Sequence, residues 1–197
     1  MTDARTDSEI VPRDDDDLVR RAKTDRAAFG GLFDRYYPRV ARYSFRRLAD
    51  RTIAEDVTSE VFLQVASHIG VFAGRTETDF RRWLFRIATN AIAAHRRQSW
   101  RRAELWQAAA HRGQFDRTAA AHPRDAEHDR LDWPAVCAAI AQLDEREQTI
   151  VTLRFFADCS HEEIADVIGS TVGATRTALA RALARLREKL KSLRPAE

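Results

Sequence analysis

Cysteine, glycine and proline are all scarce in this chain, with two, seven and five among 197 residues. Two cysteines, Cys137 and Cys159, are too few for a disulfide framework and lack metal-ligand spacing, which leaves buried, reduced thiols as the reading. So little glycine and proline argues against β-rich or fibrous designs. Stretches that alternate apolar and polar residues with period two are few, so half-buried strands are not expected either. No apolar run approaches 18 residues and no secretory core stands at the N-terminus, so neither export nor anchoring is expected and a cytoplasmic location is. Six histidines are scattered, and the HEE at 161–163 lacks the second histidine of a zinc site. No Gly-rich phosphate loop occurs. The expectation is therefore no metal, no cofactor and no catalytic chemistry.

What the chain does have is arginine, alanine and aliphatic residues at helical spacing, which predicts an all-α fold. Apolar residues recur at three- and four-residue steps over 18–30, 33–50, 53–69 and 78–98, with Asp, Thr or Ser near the starts. The same pattern returns over 133–143, 145–156, 160–168 and 171–193. Between the two groups, from residue 99 to about 130, the periodicity fades into small, polar and charged residues with Pro123 as a breaker, and this reads as a flexible tether whose Ala triplets can hold short helices. Two small helical domains joined by a linker follow. Net charge is only +3, yet its distribution is uneven. Seven acids stand in residues 1–17 against Arg5 and Arg13, whereas eight arginines stand in residues 75–102 against Glu77 and Asp79. That asymmetry calls for a polyanionic partner.

Three segments carry binding chemistry. Ser160 and Glu163 make a capping box, so a helix begins at His161; Ala165 allows a close helix crossing, Gly169 a left-handed turn, and Ser170 or Thr171 a second cap. Along the next helix Val172, Thr175, Leu179, Leu183, Leu186 and Leu190 share one side, leaving Arg176, Thr177, Arg181 and Arg185 elsewhere. That is the arrangement of a helix-turn-helix whose second helix enters a major groove. A structural corner with a solvated basic face is the competing reading, outweighed by the capping box, alanine, glycine and basic stripe arriving together in that order. The helix over 54–69 gathers Val57, Val61, Phe62, Val65, Ala66 and Ile69 on its core side. Asp56, Glu60 and Leu63 are left facing water: either a lone exposed leucine, which is ordinary, or an apolar anchor ringed by acids for a basic partner. Finally, Phe80, Trp83, Leu84, Ile87 and Ala91 make the inner stripe of an arginine-rich helix. Its Arg82, Arg86, Arg96 and Arg97 reach outward, and Asn90 offers a hydrogen-bonding edge. A polar loop precedes it, and the combination suits phosphate contacts and capture of unstacked bases.

The segments DDLVRRAKTDRAAFGGLFDRYYPRVARY, AEDVTSEVFLQVASHIGVF and FRRWLFRIATNAIAAHRRQ, followed by LDEREQTIVTLRFFADCSHEEIADVIGSTVGATRTALARALARLREKL, resemble the extracytoplasmic-function (ECF) group of bacterial sigma factors. The resemblance covers about residues 15–98 and 133–193 in the family's order. It implies a sigma-2 domain over 15–98, a linker over 99–131 that threads the polymerase and a sigma-4 domain over 132–193. Residues 1–14 become an N-terminal extension, expected to be disordered and without an assigned role. It further implies that Asp56, Glu60 and Leu63 grip the clamp helices of the largest subunit of core RNA polymerase, that sigma-4 meets the flap of the second-largest, and that an anti-sigma factor exists. Loop 73–79, with Arg75 and Thr76, would capture a flipped base of the minus-ten element. Arg82, Arg86, Asn90, Arg96 and Arg97 would lie on that element's upstream edge. Arg176, Thr177, Arg181 and Arg185 would meet the minus-thirty-five element of promoter DNA.

The match has departures. Where the family reads G-T-V-K-S-R-L-H-R, this chain has Gly173 to Arg181 as G-A-T-R-T-A-L-A-R, so a common arginine and histidine are alanines and an apolar core position is Thr175. Base readout by this helix is expected to be thinner. The competing function is a stand-alone helix-turn-helix regulator acting as a homodimer, which calls for a dimerisation helix pair or a sensing pocket.

Overall fold

The computed structural model describes residues 14–110 and 133–193, and all of the regular structure there is helical. The N-terminal half holds α1 (Asp14–Arg21), α2 (Arg26–Leu48), α3 (Arg51–His68) and α4 (Glu77–Ala110), with a 3-10 turn at Ile69–Val71 after α3. The C-terminal half holds α5 (Trp133–Ala141), α6 (Glu145–Phe156), α7 (His161–Ile168) and α8 (Val172–Leu193). Short polar side chains start these helices. Asp25 accepts from the Ala27 amide at α2, Asp50 from Ile53 at α3, and Asp144 and Ser160 close full capping boxes with Glu147 and Glu163.

The first helix boundary differs from the expected one. The break falls at residues 22–25, and Gly30 and Gly31 lie inside α2. Gly31 is where α1 crosses: a Cβ there would stand 3.3 Å from a Leu18 methyl, so the glycine serves packing and does not end a helix. Pro38 also sits within α2. The second difference is α4, which does not stop near residue 98 but runs 34 residues to Ala110. The remainder of the expected linker, from 111 to 131 or so, lies outside the described residues, as does the extension before Asp14.

The N-terminal core is a sandwich of α2, α3 and α4 filled by Leu32, Tyr36, Val40, Tyr43, Val61, Val65, Phe80, Leu84, Phe85 and Ile92. Rings of Tyr36 and Phe80, and of Tyr43 and Phe85, meet edge to face. A second apolar group, Ile150, Leu153, Ile164, Leu179 and Ala182, locks α6, α7 and α8 together. The two halves also pack on each other, α2 against α6 and α4 against α7. At that boundary Cys159 is buried; burial, with Glu163 nearby, pushes its thiol up to about 12.

Candidate functional site

The proposed binding chemistry occupies three places. On α3 the carboxylates Asp56 and Glu60 are exposed, and Leu63 is 69% exposed, far out for a leucine on a packed helix. Beside it runs an apolar groove lined by Phe29, Phe33, Tyr37, Phe62, Leu63 and Ala66. Ala66, expected in the core, is exposed and belongs to this groove. The aromatics of the groove brace one another, with the Phe33 ring 4.8 Å from Phe62 and 5.0 Å from Tyr37. Leu63 thus stands at the rim of a stiff apolar trough, and α2 supplies half of that trough, which no reading of α3 alone reveals.

The second place is the turn before α4. Thr76 is the N-cap: its hydroxyl accepts from the Asp79 amide at 3.1 Å, and Asp79 accepts in return from the amides of Arg75 (3.1 Å) and Thr76 (3.2 Å). Burial alone would raise the Asp79 carboxyl, but these donors outweigh it and hold it below the usual value. The loop is pinned from behind by Lys23, whose ammonium donates to the carbonyls of Phe72 (2.8 Å) and Gly74 (2.7 Å). Phe72 stacks on Trp83 at 4.6 Å, and Asp16 accepts from the Glu77 amide at 2.7 Å. Gly74 has no room for a side chain, since a Cβ there would lie 2.3 Å from the Phe72 ring. Trp83, placed in the inner stripe by its spacing, is half-buried and serves as the platform for Phe72. The Arg75 side chain projects to solvent.

Along α4, Arg86, Asn90 and Arg97 are exposed, and Arg82 and Arg96 are half-buried because the C-terminal half covers them. Arg82 pairs with Asp166 at 2.9 Å, Arg86 donates to the Asp166 carbonyl at 2.8 Å, and Arg81 lies 3.2 Å from Glu163 while donating to the Asp158 carbonyl. Arg96 donates to Gln148 at 3.2 Å, next to Arg47, which reaches the same oxygen at 2.7 Å with its side chain only 2% exposed. Arg46 donates to the Cys137 sulfur at 3.5 Å. Three of the five α4 residues singled out from the sequence, Arg82, Arg86 and Arg96, are therefore engaged by α6 and α7 in this arrangement. The partners lie 52 to 84 residues away in sequence, and no local pattern announces them.

The third place is the α7–α8 hairpin, where the expectation and the geometry agree closely. Gly169 is left-handed at φ 63°, and the Thr171 hydroxyl caps α8 by accepting from Ala174 at 3.2 Å. Thr175, Leu179, Ala182 and Leu186 are buried, and Arg176, Thr177, Arg181 and Arg185 are exposed on the far side. Arg176 lies 3.8 Å from Glu162, whereas Arg185 is held more firmly, at 2.8 Å from Glu147. Arg181 has no partner among the described residues. No cluster of potential metal ligands occurs among the described residues, and no helix there is long and apolar enough to cross a membrane.

Comparison with known proteins places these features. Residues 32–102 match the family model for Sigma-70 region 2, and residues 139–188 that for Sigma-70 region 4. The chain is 36% identical over 155 residues to the ECF RNA polymerase sigma factor BldN of Streptomyces coelicolor, covering 78% of this chain and 57% of that one, so it spans little more than half of that relative's length. It is 30% identical over 169 residues to the ECF RNA polymerase sigma-E factor of Haemophilus influenzae, covering 80% and 85%. Its fold matches the sigma factor RpoE of Bartonella quintana, solved in complex with the anti-sigma factor NepR, with a TM-score of 0.66 over 84% of this chain and 98% of that one at 22% identity. A two-lobed helical protein with a helix-turn-helix in its second lobe is the class this defines; the chain belongs to the ECF group of RNA polymerase sigma factors. The homodimeric-regulator alternative is not favoured.

Proposed function

We propose that the chain binds core RNA polymerase and directs it to promoters, acting by binding and without catalytic chemistry of its own, in the compartment where polymerase works. The observation that carries this is the exposed Leu63 on the acidic rim of the α2–α3 groove. A monomeric protein gains nothing by leaving that trough open, and a basic, apolar helix pair such as the polymerase clamp fits it. In the same reading loop 73–79 takes a flipped base of the minus-ten element near Arg75 and Thr76. Arg82, Arg86, Asn90, Arg96 and Arg97 follow the upstream edge of that element. Arg176, Thr177 and Arg181 meet the minus-thirty-five element, and Arg185 adds charge near its phosphates while anchored on Glu147. The second lobe docks the flap. The Bartonella neighbour was solved with an anti-sigma factor, and an inhibitor of that kind is proposed here too.

The test is run-off transcription with purified core polymerase on genomic fragments, alongside co-purification. Leu63→Arg is expected to lose association with core while keeping its helical spectrum, because the side chain is outside the fold. Retention of the mutant at wild-type strength would remove the groove from the interface.

A further inference from the structure

On α2 the residues Leu32, Tyr36, Val40 and Tyr43 form the buried face, at helical steps of four, four and three. The Tyr36 ring lies edge to face against Phe80 of α4, and a phenylalanine would serve that contact equally well. What a phenylalanine lacks is the hydroxyl, and a buried hydroxyl costs free energy unless it is bonded. Here it donates to a Glu77 carboxylate oxygen at 2.5 Å, across a separation of 41 residues. Burial first, and then that bond, push the phenol above its ordinary value, so it stays protonated and donating.

Glu77 is the first residue of α4 and follows Thr76 directly, so whatever holds it also sets where loop 73–79 enters the helix. It is held twice. Its amide donates to Asp16 of α1 at 2.7 Å, while its carboxylate is drawn inward onto α2. A first-turn carboxylate left in water would still favour the helix through the macrodipole, so the stability of α4 does not by itself call for the inward bond. The effect of that bond falls on the loop. Lys23 clamps the carbonyls of Phe72 and Gly74, and Tyr36 clamps the residue after Thr76, so Arg75 and Thr76 are carried between two fixed points. Tyr36 and Glu77 both belong to the N-terminal half, so their bond does not depend on how the second half is placed.

We propose that Tyr36 is a positioning residue for promoter opening: its hydroxyl, acting through Glu77, fixes Arg75 and Thr76 in the geometry that receives the unstacked base. This rests on the reading of loop 73–79 given above and deepens it. Tyr36 is fully buried and touches no DNA itself. A hydrogen bond to a carboxylate is of the stronger, charge-assisted kind, and a loop set before the base arrives loses less freedom on receiving it. The contribution belongs to the step in which the base leaves the stack. Association with core polymerase is read by the α2–α3 groove, which Tyr36 does not line, and that step is left alone.

The experiment uses the full chain with core polymerase on a promoter fragment carrying 2-aminopurine in the minus-ten element, whose fluorescence rises as the base unstacks. Tyr36→Phe is expected to slow that rise about tenfold, the worth of one hydrogen bond to a charged group, with co-purification with core unchanged. Glu77→Ala is expected to match it, and the double variant to be no slower than either single one, because both remove the same bond. Glu77→Gln keeps an oxygen that accepts from Tyr36 and is expected to recover most of the rate lost in Glu77→Ala. Unslowed opening by Tyr36→Phe, while Arg75→Ala slows it, overturns the proposal and leaves the reading of the loop standing. Additive losses in the double variant overturn it as well, since the two residues would then act separately. Core association lost in proportion to opening would mark a general loosening of the fold and also overturn it. If neither Tyr36→Phe nor Arg75→Ala slows opening, the reading of the loop falls with the proposal.

Discussion

Thr175 is fully buried beneath the helix-turn-helix, and its hydroxyl finds no hydrogen-bond partner. A hydroxyl stripped of water and left unpaired costs about 1–3 kcal/mol. Valine has nearly the same shape, is apolar, and removes that cost. Thr175→Val is therefore expected to stabilise the protein by about 1 kcal/mol, read as a higher urea midpoint at unchanged slope. An unchanged or lowered midpoint would mean that the hydroxyl is satisfied in solution. The same substitution leaves Arg176 and Thr177 untouched on the exposed side, so transcription from promoters with an intact upstream element is expected to persist. Residue chemistry of this kind was half legible in the sequence: the polar intruder among Val172, Leu179 and Leu186 stands out by spacing. Whether a neighbouring carbonyl accepts its proton is a matter of tertiary placement.

At the scale of elements, the loop proposed to capture a base is held by side chains from well outside it. Lys23, in the turn between α1 and α2, ties down two of its carbonyls, and Asp16 of α1 takes the first amide of α4. A loop fixed before its ligand arrives loses less entropy on binding. Lys23→Ala removes both bonds without opening a core cavity. It is expected to leave the thermal midpoint within a few degrees while amides 72–76 exchange faster, and to slow open-complex formation; unaltered exchange there would show that Phe72, stacked on Trp83, suffices alone. Periodicity and capping revealed the helices themselves, down to the Ser160–Glu163 box and the Gly169 turn. They failed where one residue type serves two purposes. Gly30 and Gly31 read as a helix end, yet Gly31 is there so that Leu18 can approach, and the polar run after Gln98 read as a tether although α4 continues to Ala110. Helix propensity of alanine and arginine outlasted the apolar stripe that the periodicity followed.

For the whole molecule, the decisive feature is that each side-chain bond described above across the boundary between halves uses an arginine of the first: Arg46, Arg47, Arg81, Arg82, Arg86 or Arg96. Carboxylates of α6 and α7 thus occupy positions on α4 that promoter phosphates are proposed to take, and both cannot be held at once. The pairs differ in how they respond to salt. Arg81 and Glu163 are shielded, with side chains 18% and 6% exposed, whereas Arg82 and Asp166 are open at 34% and 46% and are screened as the Debye length falls from about 10 Å at 0.1 M to about 3 Å at 1 M. Removing one partner of a shielded pair strands a charge and costs about 3–5 kcal/mol, enough to confuse opening with unfolding. The exposed pair is the better lever. Asp166→Arg is expected to set like charges against each other and enlarge the free protein in small-angle scattering at low salt, with its helical signal unchanged. Adding Arg82→Glu reverses the pair and is expected to restore the compact form. If the double mutant stays as expanded as the single, the Arg82–Asp166 contact does not hold the halves together. If the single mutant never expands, the shielded arginines Arg47 and Arg81 hold them without it. Recompaction by the double mutant would establish that closure of the free chain is set by charge pairing, on an arginine that promoter phosphates are proposed to need.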